Sequence, residues 1–391
     1  MTTETPVGSA RKINRGDTEV CPVRVDDAGV WHVNDFGTVR AVLRSTDTRQ
    51  AGFGVETIRR PPGMRPAVLY RDGPEHREHR RQTARYFTPR RVDEKYRGLM
   101  HRYADEQCDR LRQQGRADLS DLSFALAVAV AGAVIGLTPA RPGMARRLDR
   151  FFTESPVVPG WTSPARIAHL INRNFTIGSF YVCDVRPAIA ARRKERQDDL
   201  ISHLLDEGCT NLEILGECVT FAAAGMITTR EFIAVAAWHL FTDDALREAY
   251  VSGDEPARLA ILHEILRLEP VVSTLARRTT ADIAIPGATI PTGARVDLSV
   301  GTANLDPGVV GPDPARLCPG RALPEDVARS MLAFGDGPHR CPGAHVAIQE
   351  TEIFLTKLFA LPNLRLVSTP RVRLRAVINS YELIGTIVAV D

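Results

Sequence analysis

Residues from about Leu212 to Phe241 read as one helix, roughly 45 Å long at 1.5 Å per residue and longer than most globular helices. A helix of that length crosses a whole molecule, so the remaining chain must be built around it. The pattern elsewhere agrees. Apolar residues recur at helical spacing over 75–86, 91–114, 121–137, 143–154, 163–207, 211–241 and 256–267. Strand signals lie outside this block. VWHVNDF followed by GTVRAVLRS reads as a strand and then a helix, and RRTTADIAIPGATIPTGARVDLSV, RLVSTPRVRLRAV and ELIGTIVAV add β-rich runs broken by turn residues. The expected fold is mainly α with a smaller β portion. Residues 1–20 are polar and expected to be loosely ordered, with 21–391 forming one domain. The stretch 48–75, rich in Gly, Pro and Arg, is expected to be a long loop, and loops of that length inside compact domains are usually functional.

Composition excludes several classes. Of the 391 residues 44% are hydrophobic and 25% charged, which is ordinary for a globular chain and argues against disorder. The balance of 50 basic against 47 acidic residues is too even for global charge to favour nucleic acid. All but four of the basic residues are arginine, a bias that a GC-rich genome explains better than function does. The seven cysteines are scattered without a CxxC pair, so a disulfide framework is not expected. The N-terminus lacks an apolar signal core, and the longest apolar run, Phe124 to Leu137, is too short to span a bilayer. A cytoplasmic monomer with reduced thiols, binding neither nucleic acid nor membrane, is the expectation.

The centre of the long helix carries FAAAGMITTRE. Gly225 costs on the order of 1 kcal/mol against alanine there, and Thr228 and Thr229 are poor helix formers. This is either a tolerated defect or a shallow notch with a hydroxyl beside it.

The richest segment is Phe334 to Ala347, FGDGPHRCPGAHVA. Three glycines and two prolines fix an irregular backbone around Cys341, just before a helix that starts at Ala344. A helix N-terminus and Arg340 are expected to lower the thiol pKa and hold a thiolate suited to metal ligation. A zinc site from His339, Cys341 and His345 lacks a fourth nearby ligand and a usual spacing. A dinucleotide loop lacks its third glycine at Arg340, and a catalytic thiol has only His339 as a weak partner base. The remaining reading is axial thiolate ligation of haem iron, with glycines letting backbone N–H groups approach the sulfur.

This run resembles the haem-binding loop of the cytochrome P450 family, and the resemblance continues in order from about residue 35 to the C-terminus. It implies the cytochrome P450 fold, haem b bound through Cys341, and Phe334, Gly335 and Gly343 shaping the cofactor loop. Glu264 and Arg267 match the family's helical Glu-x-x-Arg pair, and Arg316 in PARL the later arginine. His76 and Arg80, at i, i+4 in DGPEHREHRR, together with Arg277 and His339, are the implied propionate partners. Ala224, Gly225, Thr228 and Thr229 match the oxygen-binding notch. Here the chain departs from the family, because Ile227 stands where an acid usually precedes the threonine and helps deliver protons. Thr229, water or Glu231 is the remaining route. Leu305, Cys318 and Arg340 are smaller departures.

The resemblance further implies a monooxygenase that inserts one atom of O2 into a hydrophobic small molecule. Electrons would come from NAD(P)H through a separate ferredoxin reductase and ferredoxin. The implied pocket draws on Met64, Val68 and Leu69 of the long loop, Ala223 and Ile227 of the central helix, Val271, Val272 and Thr274 after the Glu-x-x-Arg helix, and Val377, Ile378 and Asn379 near the C-terminus. The missing acid keeps two alternatives in play: phenol or aryl coupling with substrate-assisted proton delivery, and a haem protein that binds or senses a ligand without turnover.

Overall fold

The computed structural model describes residues 10–13, 21–53, 55, 63–137, 143–152 (149–152 by backbone alone), 174–375 and 379–391. Val377, Ile378, the ends of the helices expected at 143–154 and 163–207, and most of the N-terminal segment lie outside the described residues.

The central helix runs from Asn211 to Thr242 and begins with a reciprocal cap. The Thr210 hydroxyl accepts from the Glu213 N–H, and the Glu213 carboxylate accepts from the Thr210 N–H, so two orphan donors of the first turn are satisfied. The helix is not regular throughout. Ala223–Ile227 widens to a π turn, at the position where the sequence puts glycine and two threonines. By length and hydropathy this helix passes as a membrane span, but 61% of its apolar window is buried inside the protein.

Two apolar clusters share that helix. Its first half gives Ile214, Cys218, Ala222 and Met226 to a core with Ala127, Val128, Ile189 and Leu204. Its second half gives Phe232, Ile233, Val235 and Leu240 to a larger core with Met100, Leu122, Ile265 and Phe354. The π turn sits where one core hands over to the other. Leu119–Ile135 packs along both, capped at its start by the Asp118 carboxylate and ended by Gly136 at φ 95°.

A five-stranded sheet flanks the helices in the order Val23–Val25, Trp31–Val33, Arg295–Ser299, Thr274–Thr279, Thr48–Ala51. All neighbours are antiparallel except Trp31–Val33 with Arg295–Ser299. Its inner face forms a third core from Val33, Val296 and Leu298, with Phe36, Val39 and Leu332 packed on it. Smaller sheets pair Ile283–Ile285 with Ala288–Ile290, Arg371–Arg375 with Ser380–Ile384, and Ile387–Ala389 with Arg116–Asp118 and Arg365–Ser368.

Three expectations need correction. The stretch 48–75 is not all loop: Thr48–Ala51 is an edge strand, hidden in the sequence because its buried residues are Gln50 and Ala51 rather than an alternating apolar set. The helix expected over 163–207 is broken after Lys194, and Asp199 caps a separate helix, Leu200–Asp206, by accepting from the Ser202 N–H. Ala10–Ile13 is docked rather than loose. Ile13 is fully buried, and the N–H groups of Lys12 and Ile13 both donate to the Glu269 carboxylate, itself 0% exposed.

Candidate active site

Cys341 is set by a tight loop. Its N–H donates to the Phe334 carbonyl at 2.8 Å, and Gly335 and Gly337 turn the intervening chain at φ 69° and 66°. Only glycine fits at 337, because a Cβ there would lie 2.3 Å from the Leu43 carbonyl oxygen. Asp336 fastens the loop from outside, accepting from its neighbour's N–H and from Arg40 and Arg44 at 3.1 and 2.9 Å. A Cβ on Gly343 would stand 3.9 Å from the Cys341 sulfur. Its absence leaves the Gly343 N–H free to act on that sulfur.

The thiol pKa runs opposite to the expectation. Burial pushes it up, and the Gly343 N–H with the charges of Arg80 and Arg340 pulls the other way without prevailing. The residue is nonetheless solvent-accessible.

The implied propionate partners converge in part. His76 and His339 stack with ring centroids 4.0 Å apart, and both line a small cavity with Asp72, Arg277, Thr48 and Pro338. Arg277 is 3% exposed and donates to the Gln50 side chain at 2.8 Å and to its own chain's Ala276 carbonyl. Among the described residues no carboxylate lies within ion-pairing distance of it, and burial pushes its pKa down to about 10. Burial, then His339 and Arg80, likewise take His76 down to about 3. Asp72 acts on Arg277 only through space, so this buried guanidinium has no direct carboxylate partner and can take an anion. Arg80 diverges from His76 despite their shared face, donating to the Arg340 carbonyl at 2.6 Å. The residues present therefore fit a haem, with a thiol on one side and an anion-seeking cluster at one edge.

Asp72 was not legible as part of this cluster. It occupies the N-cap of Gly73–Thr83 yet makes no cap bond, because its carboxylate takes His339 Nε2 at 2.9 Å and the Gln50 N–H instead. Burial works against its charge, but these partners hold its pKa below the ordinary value.

Behind the loop, Arg267 is fully buried and binds Glu264 through Nε and Nη2, each at 2.8 Å. Its Nη1 donates to the Asn304 and Pro314 carbonyls, and the Asn304 side chain accepts from the Leu332 N–H just ahead of Phe334. The second arginine is Arg321, not Arg316. Arg321 Nε reaches Glu264 at 3.2 Å, whereas Arg316 is exposed and offers only its carbonyl to Arg267 and Arg321. The turn closed by the Arg321 N–H on the Cys318 carbonyl swings the later arginine inward, and the Cys318 N–H also donates to Glu264.

In the central helix the Thr228 hydroxyl donates to the Ala224 carbonyl freed by the π turn. Ala224 is exposed, Ala223 and Gly225 are partly exposed, and a Cβ on Gly225 would meet only the Ala131 Cβ at 3.7 Å, so protein atoms do not fill this notch. Thr229 and Ile227 are buried at 3% and 4%. Glu231 does not serve the notch: it is fully buried, bound to Arg230 at 2.7 Å and to the Leu383 N–H at 2.9 Å.

The implied pocket residues meet in pairs. Asn379, at φ 45°, accepts from the Ser273 N–H, and Val272 bridges Ser380, so the 271–274 segment and the C-terminal hairpin are joined. Val271 is buried, Val272 and Thr274 partly so. Val68 is tied to the central helix through Glu217, and Met64 and Leu69 lie half-buried on the same segment.

Comparison with known proteins agrees with this geometry. The family model for cytochrome P450 matches residues 258–371, which hold the Glu264–Arg267 pair and the cysteine loop. Cytochrome P450 130 of Mycobacterium tuberculosis is 30% identical over 312 residues, covering 75% of this chain and 71% of that protein. Erythromycin C-12 hydroxylase of Saccharopolyspora erythraea is 30% identical over 358 residues, covering 87% and 83%. Among solved structures, a versatile cytochrome P450 from Bacillus subtilis superposes with a TM-score of 0.78 at 24% identity over 94% of this chain and 96% of that one. On the identity and coverage of these relatives, the chain belongs to the cytochrome P450 family and is a P450 monooxygenase.

Proposed function

We propose that the protein binds haem b through Cys341 and hydroxylates a hydrophobic small molecule, drawing electrons from NAD(P)H by way of a separate ferredoxin reductase and ferredoxin. The observation that carries this reading is a solvent-accessible Cys341 in a loop whose own His339 stacks on His76 beside a buried Arg277 that makes no direct ion pair. When bound, the haem supplies the activation of O2 that no amino-acid side chain provides. The chain's own residues hold and shield. Cys341 is the iron ligand, tuned by the Gly343 N–H, while Phe334 and Gly335 shape the loop. Arg277 brings positive charge toward the propionates, and His76, uncharged near pH 7, together with His339 offers ring hydrogen bonds rather than counter-charge, with Arg80 at the sulfur side. Ala224, Gly225 and Thr228 leave a notch for oxygen, and the Thr228 hydroxyl holds or passes a proton there with Thr229 behind it. Met64, Val68, Leu69, Ala223, Ile227, Val271, Val272, Thr274 and Asn379 make a wall of mainly apolar groups, which suits a substrate with few polar anchors. The erythromycin C-12 hydroxylase relative supports a hydroxylation of that kind. The protein works as a cytoplasmic monomer in this reading.

Ile227 favours a second reading. It is buried and cannot carry a proton, and Glu231 is engaged elsewhere, so a substrate that brings its own acidic group, as in phenol or aryl coupling, fits the same site. Turnover of an apolar compound panel under isotopically labelled O2, with ferredoxin and reductase supplied, separates the two. One labelled atom in a hydroxylated product is expected; an unlabelled coupled product would replace hydroxylation with coupling.

A further inference from the structure

The first half of the central helix carries two buried carboxylates on one face, Glu213 and Glu217, 6% and 1% exposed. Both turn toward the segment between Thr48–Ala51 and the helix Gly73–Thr83. Glu213 accepts from the Arg65 N–H at 2.8 Å, and Glu217 accepts from the Val68 N–H with both oxygens, at 3.0 and 3.2 Å. Arg71 completes the contact. Its Nη2 donates to Glu217 at 3.1 Å while its Nε donates to the Pro66 carbonyl, so one guanidinium closes the segment on itself and ties it to the helix.

The surroundings keep this contact dry. Arg71 and His79 face Glu217, with Arg65, Glu213, Cys209 and His203 around them. His79 Nε2 stands 3.7 Å from Glu217 without a hydrogen-bond partner. Burial, then Arg71 and His203, lower the His79 pKa to about 4, so the imidazole is neutral near pH 7 and the pair is not an ion pair. Burial pushes Glu217 up to about 7 in spite of the Val68 N–H and Arg71. A carboxylate in this setting costs stability in isolation, and an apolar residue would pack the same helix face more cheaply. What the carboxylate adds is a directional hold on backbone that apolar packing cannot give.

We propose that Glu217 is a specificity-positioning residue: by fastening Val68 and Arg71 to the central helix it fixes the pocket wall carried by residues 64–69, and so governs ligands large enough to reach that wall. The inference rests on the proposed haem site and on that segment lining its pocket.

The test compares purified holoprotein as wild type, Glu217→Gln and Arg71→Gln, the last leaving the Val68 bond in place should the first fold poorly. Amide hydrogen exchange is read over residues 64–71, and Soret shifts are titrated with imidazole and with clotrimazole. Loss of a charge-assisted hydrogen bond is expected to speed exchange of this segment about tenfold and to raise the clotrimazole Kd about tenfold, leaving imidazole unchanged. Unchanged exchange, or equal weakening of both azoles, overturns the proposal. A purified wild type with no Soret band at all refutes the haem reading instead, and the exchange rates then decide the latch by themselves.

Discussion

Arg321 shares the Glu264 carboxylate with Arg267: its Nε lies 3.2 Å from the same Oε1 that Arg267 Nη2 holds at 2.8 Å. Two guanidiniums on one buried acid leave the site with an extra positive charge, and both discharge it onto backbone carbonyls of the chain leading to the cysteine loop. Removing one partner of such a cluster exposes buried groups without partners. Arg321→Ala is expected to cost about 2–4 kcal/mol in denaturant unfolding and to lower haem retention. Arg316→Ala, an exposed side chain, should stay within about 0.5 kcal/mol of wild type. Equal losses in both would return Arg316 to the lock.

The two notable glycines should respond oppositely. Gly337→Ala drives a Cβ into the Leu43 carbonyl at positive φ, so loss of stability and of haem binding is expected on purification. Gly225→Ala meets only ordinary contact, and the helix should gain up to about 1 kcal/mol. Its cost should fall on oxygen use instead, read as lower product yield per NAD(P)H consumed.

Glu350 is 3% exposed with Oε1 lacking a hydrogen-bond partner, and burial pushes its pKa from 4.5 up to about 8. A pKa raised on folding means that the folded state binds the extra proton. The stability this represents is full below about pH 4.5 and is lost as pH rises through about 8, at most about 1.4 kcal/mol per pH unit. Glu350→Gln should therefore unfold at a higher denaturant midpoint than wild type at pH 8.5, and the difference should shrink toward pH 5. A difference independent of pH would show that the carboxyl does not titrate in that range.

Ile227→Asp places an acid beside Thr228. If proton delivery limits turnover, product formed per NAD(P)H with the redox partners should rise severalfold, a part of the roughly 10²- to 10⁴-fold that a well-positioned acid contributes. No change would mean that protons already reach the site by another route.

Much of the site was legible because its information is contiguous. The cysteine loop packs ligand, turns and helix start into fourteen residues, and the central helix advertises its defect through Gly225, Thr228 and Thr229. What escaped was long-range and backbone-borne. Arg316 and Arg321 are five residues apart with similar surroundings, and only the turn at Cys318 decides which side chain points inward. Asp72 looks like a helix cap, and nothing local reveals that His339 claims it. Ala10–Ile13 reads as polar and loose, yet its backbone N–H groups are what Glu269 needs. The thiol pKa differs from the sequence expectation for a related reason: helix start and arginines are visible in sequence, while the burial that pushes it up is not.

The most direct test of the account is the absorption spectrum of purified protein, reduced and saturated with carbon monoxide, for wild type and Cys341→Ser. A strongly red-shifted Soret band in the wild type, absent from the variant, is the expected result. A folded wild-type protein that binds no haem, or gives a histidine-type band, would contradict thiolate ligation by Cys341.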